Sequence, residues 1–167
     1  MKYGGLTFGQ VEAVVNKLGG MEGVQRFLSG ASVVKDAVVA FQRDLRKEGY
    51  EPLEDVPFDG QPFTPDIIGF LKSGESYVNG DVMRTRAREA NANLGHLHAE
   101  YLLNHQDLIP TEWRGKYYLV FPGTVWRSRG GRRRVPCLGW HGDRWCLRFA
   151  WLGHGWYSVD RLVSLRK

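Results

Sequence analysis

Between Val135 and Trp151 the chain reads V-P-C-L-G-W-H-G-D-R-W-C-L-R-F-A-W, two alternating runs separated by Gly142-Asp143. Side chains on a strand alternate faces, and a Gly-Asp pair between alternating runs marks a tight hairpin turn. That turn sets the register: Trp140 opposite Trp145, Leu138 opposite Leu147 and Pro136 opposite Phe149, all on one face. The other face carries Cys137, Gly139, Arg144, Cys146, Arg148 and Ala150. A slip of one residue would turn the whole apolar set to water, so this stretch constrains the fold more than any other. Upstream, Tyr117, Leu119 and Phe121 alternate with Tyr118 and Val120, which predicts a further strand. A second turn at "LGHG" is expected to bring Trp151 opposite Trp156. Four or five short strands with one apolar face must curl to hide it. Residues 113–167 therefore predict a small antiparallel β-barrel or curled meander, SH3-like or OB-like.

The remainder reads as helical. Thr7 and Gln10 form a capping box with Leu6 and Val11 as its hydrophobic staple. Val11, Val14, Val15 and Leu18 follow at helical spacing up to Gly19-Gly20. "MEGVQRFLSG" predicts a second helix. "SVVKDAVVAFQRDLRKEG" predicts a third, although its β-branched opening also suits a strand. Residues 1–49 are thus expected to be a three-helix region. Residues 50–65 hold four of the seven prolines with Glu51, Glu54, Asp55 and Asp59, which predicts an extended acidic linker or a loop laid over the surface. Residues 66–112 are expected to be helical. They begin with "PDIIGFLKSG" behind Thr64 and Pro65 and continue in a long central helix over about 81–105. Met83, Ala87, Ala90, Leu94, Leu97 and Tyr101 form a heptad-like seam that would support a homodimer through residues 83–101. "NANLG" is poor helix material and predicts a bend near Gly95. The fold class expected is α+β.

Charge is unevenly spread. Residues 113–167 carry 12 Lys and Arg against only Asp143 and Asp160, a net of +10, and residues 1–112 carry 11 against 16, a net of −5. The basic part holds all six tryptophans and both cysteines, and ten of its twelve cations are arginine. Arginine's planar fork suits phosphate and stacking contacts better than lysine's point charge. Five arginines fall within W-R-S-R-G-G-R-R-R-V, namely Arg127, Arg129, Arg132, Arg133 and Arg134, with Gly130-Gly131 allowing a tight tip. Such a tip either is solvated and solubilising or grips a polyanion, releasing counterions as it does so. Arg144 and Arg148 on the polar sheet face extend the charge onto a surface and favour the second reading.

Aromatic residues offer stacking platforms for bases, but the hairpin register assigns Trp140, Trp145 and Trp151 to the core. Tyr118 and Tyr157 are the candidates for exposed aromatics. His96, His98, His105, His141, His154, Cys137 and Cys146 match no zinc spacing, and no metal or cofactor is expected. The two cysteines lie diagonally on neighbouring strands and predict free thiols. No G-x-S-x-G, Walker loop or paired carboxylates are present, so no enzyme is expected. Residues 33–48 as a recognition helix would show a face mixing Lys35, Arg43, Arg46 and Lys47 with Asp36, Asp44 and Glu48, which fits a solvated surface better than a DNA reader. No apolar run approaches the length of a membrane span, and the N-terminus lacks the apolar core of a signal peptide.

The phrases "GQVEAVVNKLGGMEGVQRFLSG" (9–30), "HAEYLLNHQDLIP", "FPGTVW", "VPCLGWHGDRW" and "RLV" (within 98–163) resemble a group of small bacterial proteins of uncharacterised activity. The resemblance implies a bacterial, cytoplasmic setting and supplies no functional residue. The functional expectation is non-enzymatic binding of nucleic acid, RNA or single-stranded DNA. It rests on Arg127, Arg129, Arg132, Arg133, Arg134, Arg144, Arg148 and Tyr118. The rival is a protein-interaction or regulatory module, homodimeric in one form, whose arginine loop meets an acidic protein or the acidic linker of its own chain.

Overall fold

The computed structural model describes residues 44–166. In chain order they form β1 (Glu51–Glu54), β2 (Pro65–Ile68), β3 (Tyr77–Val78), α1 (Gly80–Glu89), α2 (His96–Asn104), β4 (Tyr118–Val120), β5 (Val125–Arg127), β6 (Arg133–His141), β7 (Arg144–Trp151), β8 (Trp156–Tyr157) and β9 (Asp160–Leu165). The α+β expectation is corrected. The described chain is mostly β, a curled half-barrel sheet with two short helices, and has no long central helix. The helices expected over 1–43 lie outside the described residues. The tail of the expected third helix, Leu45–Glu48, is a single 3-10 turn capped by Asp44.

The main sheet runs β1-β5-β6-β4-β9-β2, with β7 on the remaining edge of β6. β4 and β5 share the other edge of β6, because Leu119 pairs with Leu138 and Trp126 with Arg134. Between them the segment Phe121–Thr124 shifts the register, and the sheet forks there. β1 continues from β5, and β9 continues from β4 in parallel, so the sheet is not purely antiparallel as expected. The β6–β7 hairpin has the register read from its sequence: Trp140 with Trp145, Leu138 with Leu147, Pro136 with Phe149. Cys137 and Cys146 are free.

Pairing with distant strands changes three local expectations. "PDII" is strand β2, whose Ile67 and Ile68 face Val163 and Leu162 of β9. Its β-branched residues fit a pleated surface, and a ready partner strand outweighs the Thr64-Pro65 helix-start signal. The acidic segment is extended as expected, but Glu51–Glu54 is an edge strand paired with β5. Trp156 lies in β8 against Val78 of β3 instead of facing Trp151.

α1 is capped by Asn79, whose side chain accepts from Val82 N at 2.9 Å. It buries Met83, Arg84 and Ala87, spaced to face inward on one side. The helix stops because residues 91–95 dock onto the fork in the sheet. Asn91 takes the left-handed conformation (φ 53°), and Gly123 N donates to Leu94 O at 2.8 Å. A Cβ on Gly123 would stand 2.4 Å from Asn93 O, so glycine is required where the two backbones meet. Met83, Ala87 and Leu94 of the expected dimer seam are buried in the chain's own core.

Each face of the sheet has its own core. On one side Met83, Ala87, Val120, Val135, Leu152, Trp156 and Leu162 pack together. On the other are Ala99 and Leu102 of α2 with Leu119, Phe121, Leu138, Trp145 and Val163. Both faces are covered because residues 44–112 supply a helix to each.

At the start of α2, Gly95 N donates to His98 Nδ1 at 3.2 Å, and Phe58 packs on the imidazole with centroids 4.6 Å apart. Burial pushes the His98 pKa from 6.5 down to about 4, against the opposing pull of Asp59 and Asp55. The unfolded chain therefore binds a proton that the folded chain refuses between these values. Stability should fall as pH drops from about 6.5 to about 4, by about 1–3 kcal/mol, and this contribution should change no further below that. Urea midpoints at pH 7 and pH 5 check this. His98→Gln, which keeps an acceptor without titrating, should shrink the difference, and an equal loss in both proteins would exclude His98 as the cause.

Candidate nucleic-acid interface

The arginine cluster is the tip of the β5–β6 hairpin. Ser128 N donates to Arg132 O at 3.0 Å, Gly131 N to Ser128 O at 2.9 Å and Arg132 N to Ser128 Oγ at 3.2 Å. Gly131 sits at φ 79°, a conformation that glycine adopts without strain. The tip is thus tied by its own backbone.

The five arginines divide by what they touch. Arg127 is held by the Glu51 carboxylate of β1, the residue opposite it in register. Arg133 makes a fork-on-fork pair with Asp81 of α1, Nη1 to Oδ1 at 3.0 Å and Nη2 to Oδ2 at 2.9 Å. That bond holds the Asp81 carboxyl below, and the Arg133 guanidinium above, their ordinary pKa ranges. Arg134 Nη1 donates to Phe149 O at 3.1 Å, and its guanidinium stands over the Tyr50 ring at 6.0 Å from the centroid. Among the described residues Arg129 and Arg132 have no acidic partner; both are exposed. The Arg132 guanidinium lies over the indole of Trp151, 5.9 Å from its centroid.

Trp151 corrects an expectation. It was assigned to the core with Trp140 and Trp145, yet it is 47% exposed, whereas Trp145 is 1% exposed and Trp140 half-buried. Its register partner on β6 is Arg134, so it lies past the apolar part of the sheet and beside the arginine tip. The signal was present in the hairpin: counting back from Gly142-Asp143 places Trp151 opposite an arginine. Tyr50, which sequence reasoning did not single out, has no local signature.

The other expected site residues form a separate group. Tyr118 is 46% exposed and Tyr157 51% exposed. The Tyr118 ring lies over Gly139, where a Cβ would stand 3.0 Å from it, and Arg148 borders the same glycine. Arg144 and Arg148 are exposed but alternate with Trp151 along β7, so they point from the opposite face of the strand. The structure brings Arg132, Arg134 and Trp151 together and leaves Tyr118, Arg144 and Arg148 elsewhere.

Among the described residues no group of three His, Cys, Asp or Glu is placed to hold a metal ion, and no helix is long and apolar enough to cross a membrane. In comparisons with known proteins, no family model, no curated protein and no solved structure matches the chain.

Proposed function

We propose that this protein binds single-stranded nucleic acid, RNA foremost, without catalysing a reaction, through the tip of the β5–β6 hairpin. The observation that carries the reading is the exposed Trp151 indole with the Arg132 guanidinium over it, on the same hairpin tip as Arg129, which has no acidic partner among the described residues. An indole offers a base a stacking surface, and a guanidinium beside it takes the phosphate. Among the described residues the helix that touches the tip is α1, whose acidic Asp81 is bound to Arg133, and an acidic helix start is unsuited to a major groove, which favours a single strand over duplex. The setting that suits two free thiols is the cytoplasm.

The test uses Arg129→Ala with Arg132→Ala, and Trp151→Ala, on mixed-sequence RNA at several salt concentrations. These side chains are exposed, so the fold should persist. Arg133 and Arg134 are unsuitable because they hold Asp81 and Phe149 O. The double arginine variant should flatten the slope of log K against log salt by about 1.4, at about 0.7 per lost phosphate contact. Trp151→Ala should weaken binding by about 1–3 kcal/mol, a stacked base. Wild-type protein that binds no oligonucleotide even at low salt would overturn the reading in favour of an acidic protein partner.

A further inference from the structure

Beside the arginine tip lies a groove of about 500 Å³ lined by Gly49, Tyr50, Glu51, Arg127, Ser128 and Arg129. This is within the size range of sites for small organic ligands. Gly49 ends the 3-10 turn at φ 81°, and Tyr50 N donates to Leu45 O at 3.1 Å, which fixes the tyrosine at the head of β1. A Cβ on Gly49 would stand 3.3 Å from Arg129 Nε, so the glycine lets the guanidinium lie close against the backbone. Ser128 Oγ accepts from Arg132 N, and its O–H remains to donate. Both bonds from Arg127 reach Glu51 Oε1, so the other carboxylate oxygen remains as an acceptor on the groove wall. One groove therefore holds an aromatic ring, an uncompensated guanidinium, a hydroxyl donor and a carboxylate acceptor. A flat heterocycle bearing amino groups and joined to a phosphate needs this set.

We propose that the groove binds one nucleoside monophosphate unit, its base against Tyr50 and its phosphate on Arg129 with Ser128. The proposal rests on the single-strand reading, in which that unit is a nucleotide close to the one stacked on Trp151. Tyr50 at the head of β1 and Trp151 at the end of β7 are three strand spacings apart, at most about 14 Å across the sheet. Arg134, over the Tyr50 ring and opposite Trp151 in register, lies between them. A free mononucleotide presents the same chemistry as a nucleotide within a strand, and the experiment separates the two sources.

The experiment titrates the full chain with AMP, adenosine and inorganic phosphate by calorimetry, and with an RNA oligomer in competition against AMP. AMP should bind, with adenosine and phosphate each about tenfold weaker or worse, and AMP should displace the oligomer. Arg129→Ala and Tyr50→Ala should each weaken AMP about tenfold, while Arg144→Ala, on the opposite face of β7, leaves AMP binding unchanged. Arg129 is exposed, so its variant keeps the test valid if Tyr50→Ala folds poorly. An oligomer that binds while AMP neither binds nor competes would overturn the groove proposal and leave the single-strand reading standing. AMP affinity unchanged by Arg129→Ala would also overturn the groove proposal. AMP binding without oligomer binding would keep the groove as a free-nucleotide site and overturn the single-strand reading.

Discussion

Trp145→Ala should destabilise the folded protein by about 3–5 kcal/mol, the cost of a large cavity in a well-packed core. The indole is 1% exposed and packs edge-on against Trp140, with centroids 5.6 Å apart, among Leu138, Leu102 and Ile109. Its backbone is clamped by Gln106, whose Oε1 accepts from Trp145 N at 2.8 Å. For a domain of this size the loss should lower the Tm by about 10–20 °C. The indole N–H finds no acceptor in the described structure, so Trp145→Phe loses apolar volume and no hydrogen bond. It should therefore cost well under half as much. Thermal or urea unfolding of both variants checks this. An alanine variant within about 1 kcal/mol of wild type would mean that Trp145 is not part of the core.

The second large effect is expected at Arg84, a buried cation that joins three elements. It is 4% exposed; its Nη2 donates to Glu54 Oε2 of β1 at 2.6 Å, and its Nε to Pro122 O at the fork at 3.2 Å. Arg84→Met preserves the apolar stem but leaves the Pro122 carbonyl without its donor and Glu54 with only Arg88, whose Nη2 lies 2.9 Å away. Glu54 is about half exposed, so water can solvate it, which keeps the cost below that of a fully buried broken pair. The expected loss is about 2–4 kcal/mol, mainly the unsatisfied carbonyl and the charge-assisted bond. Arg84→Lys should rescue little, since one ammonium does not reproduce a fork serving two acceptors. The hydrogen bond from Arg84 lowers the Glu54 pKa, so this contribution is present above about pH 4.5 and fades as pH falls below it. In Arg84→Met the acid limb of the stability curve should be correspondingly flatter. Urea unfolding across pH 3–6 measures both effects.

The arginine tip requires more than composition to interpret. Five cations in eight residues suggest a strong polyanion grip, but three are committed within the fold: to Glu51, to Asp81 and to Phe149 O. What remains open is Arg132 over the exposed Trp151 indole and Arg129 beside Gly49. The proposed binding should therefore show a weaker salt dependence than five phosphate contacts would produce.

Elements specified by near neighbours were legible in the sequence. The β6–β7 register follows from alternation around Gly142-Asp143, and the exposure of Tyr118 and Tyr157 agrees with that reading. The same alternation misled at Trp151, because a face stays apolar only as far as something covers it, and the covering helix α2 is not visible in the hairpin's own residues. The periodicity over 83–101 suggested one helix. It holds two, because Asn91 turns left-handed and Leu94 O accepts from Gly123 N at the fork, which takes the backbone off the helical path before Gly95 starts the next turn. "PDII" became a strand only because β9, about a hundred residues later, offers an edge to pair with.

The sequence by itself determined the hairpin and its register and the clustering of arginine at one tip, since each depends on residues close together in the chain. Tertiary structure alone decided which arginines are open. Arg127 is neutralised by a carboxylate 76 residues away and Arg133 by one 52 residues away. Charge pairing acts through space, and the chain order that brings Glu51 and Asp81 to the tip is a property of the folded sheet.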